Sequence, residues 1–285
     1  HLRLQSDYVT ANLNGAFQYR TMPRTIQGLL HNYLPSIVKQ PATTNHSNNM
    51  VDFYAYFRNL DSITQVLDLG VELPYFPTIK GYIREQNRQV GLQAFIPQIN
   101  TGKVRMQDIT VSLDNQDDQL GISVFVYNHL PKDNPTAAKV GDIKANLHLN
   151  VKNDELDLKV ELGNTDQVRN EGIIHAKSKL ALYNDKPAFD IQVQPSHIIL
   201  NDSAWNISQT NINYVLANKT MDICNLKLNT DYQSITIDGR ASESATDSLN
   251  VTLENINLDY LLSYTEASKA ISILGPVTGH AILYS

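Results

Sequence analysis

The chain has 285 residues, 42% of them hydrophobic and 18% charged, and a net charge of −6 at neutral pH. This is the composition of a folded protein, and the acidic balance, with no run of three Lys or Arg, argues against a nucleic-acid partner. A single cysteine, Cys224, excludes an internal disulfide.

The purely apolar runs extend for about four or five residues, far short of the ~20 that a membrane-crossing helix needs. The opening His-Leu-Arg-Leu-Gln-Ser lacks the apolar stretch of a secretory signal. The chain starts without methionine and reads as strand at both ends. It is therefore expected to be a piece of a longer protein, with any targeting signals outside it.

In chain order, Ala11, Leu13, Gly15, Phe17 and Tyr19 alternate as a strand does. Met22, Ile26, Leu29, Leu30, Tyr33, Leu34 and Ile37 then fall at helical spacing and predict a short helix near residues 23–34. Pro23 suits its first turn, and Pro35 is expected to end it near Leu34. The following KQPATTNHSNN reads as a loop.

From residue 90 to 255 period-two alternation dominates, as in Leu92/Ala94/Ile96, Ile109/Val111/Leu113 and Ile122/Val124/Val126. It continues in Phe189/Ile191/Val193, Ile198/Leu200, Met221/Ile223, Leu226/Leu228 and Ile235/Ile237. This is the pattern of strands with one dry face and one wet face. The connectors are short and made of turn formers: Asn115–Asp118, Lys152–Glu155, Asn184–Pro187, Asn201–Ser203, Asn218-Lys219 and Thr230-Asp231. Hairpins in series are expected, within a mostly β protein. Cys224 lies in a strand-like run and is expected to be a small buried thiol.

One pattern recurs. VDFYAYFRNLDSITQVL (Val51–Leu67) and LNVTLENINLDYLL (Leu249–Leu262) each run from an alternating strand through Asn-aliphatic (Asn59-Leu60, Asn255-Ile256) into a brief helical cluster. Both return through proline into a glycine-marked strand, Pro77–Ile83 and Pro276–Ile282. Short helices are thus predicted near 61–68 and 258–270, capped by Asp61 or Ser62 and by Asn257. The chain reads as one segment, 1–285, with repeat units 1–50, 51–248 and 249–285.

Catalytic signatures are absent. No two of the eight histidines lie within five positions of each other, and no nucleophile elbow, phosphate loop or zinc motif occurs. Asp114–Gln119 is acidic but lacks the ligand spacing of a calcium loop, and reads as a solvated hairpin turn. No enzyme activity, metal or cofactor is expected. Three Asp-Ser-aliphatic or Asp-Ser-Ala triplets, at Asp61, Asp202 and Asp247, look like an O-glycosylation signal of exported Bacteroidetes proteins. Sequons at Asn45, Asn201, Asn206, Asn218 and Asn250 carry little weight in so Asn-rich a chain.

The run from Ser196 to Leu262 resembles Bacteroidetes members of the TamB (AsmA-like, translocation/assembly module) family. Its elements are a Trp205-containing strand, Ser234-Ile235-Thr236-Ile237-Asp238-Gly239, and then Asp247-Ser248-Leu249 leading to a short helix. Residues Asp7–Ile37 are similar to such proteins as well. The resemblance implies a long antiparallel-rich sheet curled into a taco-shaped apolar trough. It implies a periplasmic protein anchored in the inner membrane through an N-terminal helix not present here. The expected partners are phospholipid and, through regions outside this chain, an outer-membrane barrel of the TamA type.

The lining expected from the alternation is Leu147, Leu149, Leu156, Leu158, Val160, Ile191, Val193, Ile212, Ile223, Ile235, Ile237, Leu249, Val251 and Leu253. The implied function is a lipid conduit that shields acyl chains on the way to the outer membrane. The alternative is a β-rich extracellular binding module of carbohydrate or adhesin type with a closed core. For that reading, the aromatic cluster Tyr54, Tyr56, Phe57, Tyr75 and Phe76 is the first place to look.

Overall fold

The structure, a computed structural model, describes residues 1–42, 48–60, 64, 71–101, 104–116, 118–128, 142–164, 168–183, 185–200, 202–257 and 275–284. Among these, eighteen strands belong to one antiparallel sheet, accompanied by one α-helix and one 3-10 turn. The chain divides into two compact units, one built from residues 1–129 with 143–156 and the other largely from 157–285.

The first unit contains β1 (Leu2–Gln5), β2 (Val9–Ala16), α1 (Met22–His31), β3 (Met50–Phe57), β4 (Thr78–Arg84), β5 (Gln89–Thr101), β6 (Val104–Gln116), β7 (Gln119–Asn128) and β8 (Ile143–Lys152). Each strand pairs antiparallel with the next in sequence, from β1 to β8. Four left-handed turn positions are filled by residues other than glycine. Arg88, Asp118, Asn153 and Asp154 adopt φ of 52°, 59°, 51° and 65°, the left-handed values that tight hairpins require. Asn and Asp tolerate this conformation best among residues with a Cβ.

Helix α1 starts one residue earlier than expected and ends at His31, with Pro23 in its first turn. It stops a turn short of Leu34 because Tyr33 and Leu34 both bond back to the Leu30 carbonyl, and the Tyr33 carbonyl instead accepts the Asp154 N–H at 2.9 Å.

The second unit carries β9 (Glu155–Asn164), β10 (Glu171–Tyr183), β11 (Lys186–Val193), β12 (Ser196–Leu200), β13 (Ser203–Ile207), β14 (Thr210–Val215), β15 (Thr220–Asn229), β16 (Ser234–Ala241), β17 (Ser248–Asn257) and β18 (Pro276–Tyr284). The long β10 pairs with both β11 and β12, so these two are halves of one interrupted strand, broken at Gln194-Pro195. Likewise β13 and β14, broken at Ser208-Gln209, both pair with β15. The next strand in line, β15, bulges between Ile223 and Leu226, and the Asn225 N–H donates to Asp238 Oδ1 at 3.0 Å. These breaks lie side by side and form a line of interruptions across the strands, where a bulged sheet bends.

Cys224 corrects one expectation. It is exposed, not buried, because it pairs with Asn211 next to Ile223–Ile212 and so alternates onto the side opposite those isoleucines, while the left-handed Asn225 after it forms the bulge. The helices expected near 61–68 and 258–270, with the caps Asp61 and Ser62, lie outside the described residues apart from Thr64, while Asn257 ends β17.

The recurring pattern has a conformational counterpart. Asn59 and Asn255 adopt φ of 49° and 56°. Each side-chain amide donates to a carbonyl of an earlier hairpin turn, Asn59 to Asp7 and Asn255 to Tyr232. Each strand before the asparagine then pairs with the glycine-marked strand, Phe53 opposite Gly81 and Leu253 opposite Gly279.

Candidate functional site: an apolar sheet face with an end cap

Residues paired directly across an antiparallel ladder point to the same side of the sheet. In the first unit the registers Leu13–Phe53–Gly81–Leu92–Leu113–Ile122–Leu149 and Ala11–Ala55–Ile79–Ala94–Val111–Val124–Leu147 therefore form two adjacent rows of one face. A third row of this face runs Ile96–Ile109 between β5 and β6. No Lys, Arg, Asp or Glu stands in these rows. The next rung on β5 and β6 is Gln98–Gln107, where Gln107 Nε2 donates to Gln98 Oε1 at 3.2 Å, so the apolar stretch ends in an amide row.

Most of these apolar side chains, including Leu92, Val111, Ile122, Val124 and Leu147, are half-buried, not buried. A core between two packed layers would bury them fully. A hollow of about 430 Å³ is lined by Phe53, Gly81, Leu92 and Leu113 of these rows and by Lys80, Tyr82, Gly91, Gln93, Ser112 and Asp114 of the alternate registers. Gly81 makes room for the Phe53 ring, since a Cβ there would stand 2.6 Å from Phe53 Cζ.

At the opposite end of the rows the face is covered. Leu29 packs with Val51 and Ile83, and Tyr33 packs with Leu120 and Val151, so α1 and the residues after it lie across the strand ends from β3 to β8. Three polar clamps hold this cap. Buried Asn49 accepts the Gln18 N–H at 2.7 Å and donates to the Thr21 and Thr25 hydroxyls. Asn115 donates to the Tyr33 hydroxyl at 2.7 Å. Asp154, buried in its hairpin turn, accepts the Ser36 N–H and the Ser36 hydroxyl, the latter at 2.7 Å. The buried side of α1 holds only part of the expected stripe: Leu29 and Tyr33 are buried, whereas Ile26, Leu30 and Ile37 are exposed.

The second unit has an apolar face of its own. One row is Ile191–Ile212–Ile223–Gly239–Leu249–Leu283, and beyond the line of interruptions run Leu226–Ile237–Val251–Ala281 and Leu228–Ile235–Leu253–Gly279. Ile235, Ile237 and Gly239 alternate without a break in β16, so the rows on both sides of the bulge share one face. Val193 joins it opposite Ala176 and Thr210, and buried Trp205 opposite Ile198. Leu158 and Val160 follow Leu156 at two-residue steps in β9, and Leu156 packs beside Tyr33, Leu120 and Val151. Polar groups interrupt the face: the Thr210 hydroxyl donates to the Cys224 carbonyl, whereas the Ser178 hydroxyl, in register with Ile191, is buried without a hydrogen-bond partner.

Of the expected lining residues, Leu147 and Leu149 stand in the first unit's rows, Ile191, Val193, Ile212, Ile223, Ile235, Ile237, Leu249, Val251 and Leu253 stand in the second unit's rows, and Leu158 and Val160 share one side of β9 with Leu156. The first-unit rows from Leu13 to Ile122 were not among them, although their alternation is as regular. The clamps Asn49, Asn115 and Asp154 have no sequence signature beyond their turn chemistry. Among the described residues no group of three His, Cys, Asp or Glu is arranged to hold a metal, and no helix is long and apolar enough to cross a membrane. No family model, curated protein or solved structure matches this chain.

Proposed function

We propose that the chain is a segment of a lipid conduit in which each apolar face shields acyl chains from water. The observation that carries this reading is the charge-free face of half-buried aliphatic side chains in the first unit, continuous over β2 to β8. Acyl chains are the ligand such a face suits, because burial of each CH₂ contributes roughly 0.8 kcal/mol without directional demands. No catalytic residue is required. The TamB-like pattern around Trp205 and Ser234–Gly239 supports the same reading, and with it a periplasmic setting and phospholipid as cargo. At about 4.8 Å per strand, the seven strands β2 to β8 give the first unit's face a width of roughly 30 Å for such cargo.

The test is native mass spectrometry of the chain purified from a lipid-rich host, wild type against Leu147→Asp and His148→Asp. The two positions are adjacent on β8, yet only Leu147 belongs to the apolar rows. Co-purified phospholipid is expected for wild type and His148→Asp, and is expected to fall sharply for Leu147→Asp. Lipid-free wild-type protein, or equal lipid in the two folded variants, contradicts the proposal.

A further inference from the structure

The clamping asparagines Asn59 and Asn255 belong to a longer repeat. Ser6-Asp7-Tyr8-Val9 and Thr230-Asp231-Tyr232-Gln233 are turns of one build. In each, the first hydroxyl accepts the N–H groups of the third and fourth residues, at 3.2 and 3.1 Å in one copy and 3.2 and 3.0 Å in the other. The first N–H donates to the fourth carbonyl at 2.9 Å in both. The same number of residues after each tyrosine stands a glycine of positive φ, Gly15 at 130° and Gly239 at 125°. The aspartate carboxylate and the tyrosine ring make none of these bonds, yet both copies carry them. Tyr8 is 44% exposed and Tyr232 82%, the highest value among the exposed large hydrophobics of the described residues. A single exposed ring is ordinary on a protein surface. An Asp-Tyr pair presented on two matching turns is not accounted for by the turns themselves.

At the second copy the pair borders a hollow. β13 is laddered to β15 only through Asn206 and Ile207, so its opening residues diverge from the β15–β16 turn. The gap is a hollow of about 490 Å³, within the range of small-ligand sites. Asp231 and Tyr232 line it from the turn, Ser203 and Asn206 from β13. The carboxylate, the phenol, the Ser203 hydroxyl and the Asn206 amide bond to no other described residue, which leaves them free for a ligand. The turn that carries them is fixed from the next strand: Asn255 donates to the Tyr232 carbonyl at 3.0 Å, and the Asn255 carbonyl accepts Gln233 Nε2 at 3.1 Å. The ring is thus held in place before a ligand arrives.

These groups fit one ligand class. A pyranose offers a flat C–H face to an aromatic ring, and its adjacent hydroxyls both donate and accept. A carboxylate accepts from such hydroxyls, and a carboxamide does both. Asp231 is the one charged residue among those lining the hollow, so a phosphate or an acidic sugar meets repulsion and no counter-charge. The carboxylates next in sequence, Asp202 and Glu254, have the same sign and already accept the Arg169 N–H at 3.1 Å and the Ser234 hydroxyl at 2.6 Å. Polar walls give an acyl chain little to pack on.

We infer that this hollow binds a neutral pyranose, its ring on Tyr232 and its adjacent hydroxyls on Asp231 and Asn206. The inference does not rest on the lipid reading. Amide NMR of the full chain tests it, by titration with methyl β-glucoside and methyl β-galactoside and with the uronic acid counterpart of each. A neutral glycoside is expected to shift the Asn206 side-chain amide and the Tyr232 backbone amide together, and to bind more tightly than its uronic counterpart. Tyr232→Ala, checked for folding by circular dichroism, is expected to lower that affinity about tenfold. Asp231→Asn is expected to weaken the neutral glycoside and to abolish its advantage over the uronic form. Failure of both neutral glycosides to bind, shifts confined to other residues, a uronic form bound as tightly as its neutral counterpart, or undiminished affinity in folded Tyr232→Ala overturns the assignment.

Discussion

Asn59, just after β3, and Asn255, at the irregularity inside β17, hold left-handed backbone, and each uses its side-chain amide to tie that position to an earlier turn. The sequence showed these positions as a repeated Asn-aliphatic step without glycine or proline, and asparagine is the residue with a Cβ that tolerates positive φ best. Asn255→Val is therefore expected to lower stability by about 1–2 kcal/mol, and Asn255→Gly by less, in urea unfolding monitored by tryptophan fluorescence. Equal losses would show that the backbone conformation is not what the asparagine supplies. Ser178 is the converse case, a hydroxyl on an apolar row with nothing to bond. Ser178→Ala is expected to leave the fold intact and raise stability by up to about 1 kcal/mol, read from the same unfolding curves. Cys224 marks the limit of reading residue by residue. It stands outward by alternation with Ile223, and the bulge that follows, which returns Leu226 to the side of Ile223, depends on the Asn225 N–H donating to Asp238 of the next strand, a contact between residues thirteen apart.

Helix α1 was legible from its apolar spacing and Pro23, while its role was not. Its length and attachment are decided by partners far along the chain: Asn49, Asn115 and Asp154 each reach it from a different strand end or turn. With buried polar clamps at its start, its end and beyond, α1 is a fixed end cap of the first unit and not a lid that opens. Hydrogen exchange provides the check. The amides of Leu29 and Leu30 are expected to exchange as slowly as those of the central β5 and β6 strands, whereas a lid would exchange far faster than the sheet. Asp154→Gly keeps the left-handed turn and removes only the carboxylate, and is expected to cost roughly 1–3 kcal/mol while speeding exchange across α1. Unchanged exchange in that variant would remove the clamp from the account.

Over the whole molecule, period-two alternation made the antiparallel sheet readable, because most strands carry the same binary pattern and many of the turns between them are rich in Asn and Asp. Alternation also separated the two sides of every strand, but it did not say which rows adjoin. Register does that, and it joins Leu13 on β2 to Leu149 on β8 through five intervening strands. The central claim is that the aliphatic rows, and not the opposite side, meet acyl chains. Site-specific photocrosslinking tests it most directly, with a benzophenone amino acid placed in turn at Val111, Ser112, Leu113, Asn146, Leu147 and His148 and with crosslinked phospholipid scored by mass spectrometry. Lipid adducts are expected at Val111, Leu113 and Leu147 and not at Ser112, Asn146 and His148. Adducts that ignore this period of two, or that form at none of the six positions, would contradict it.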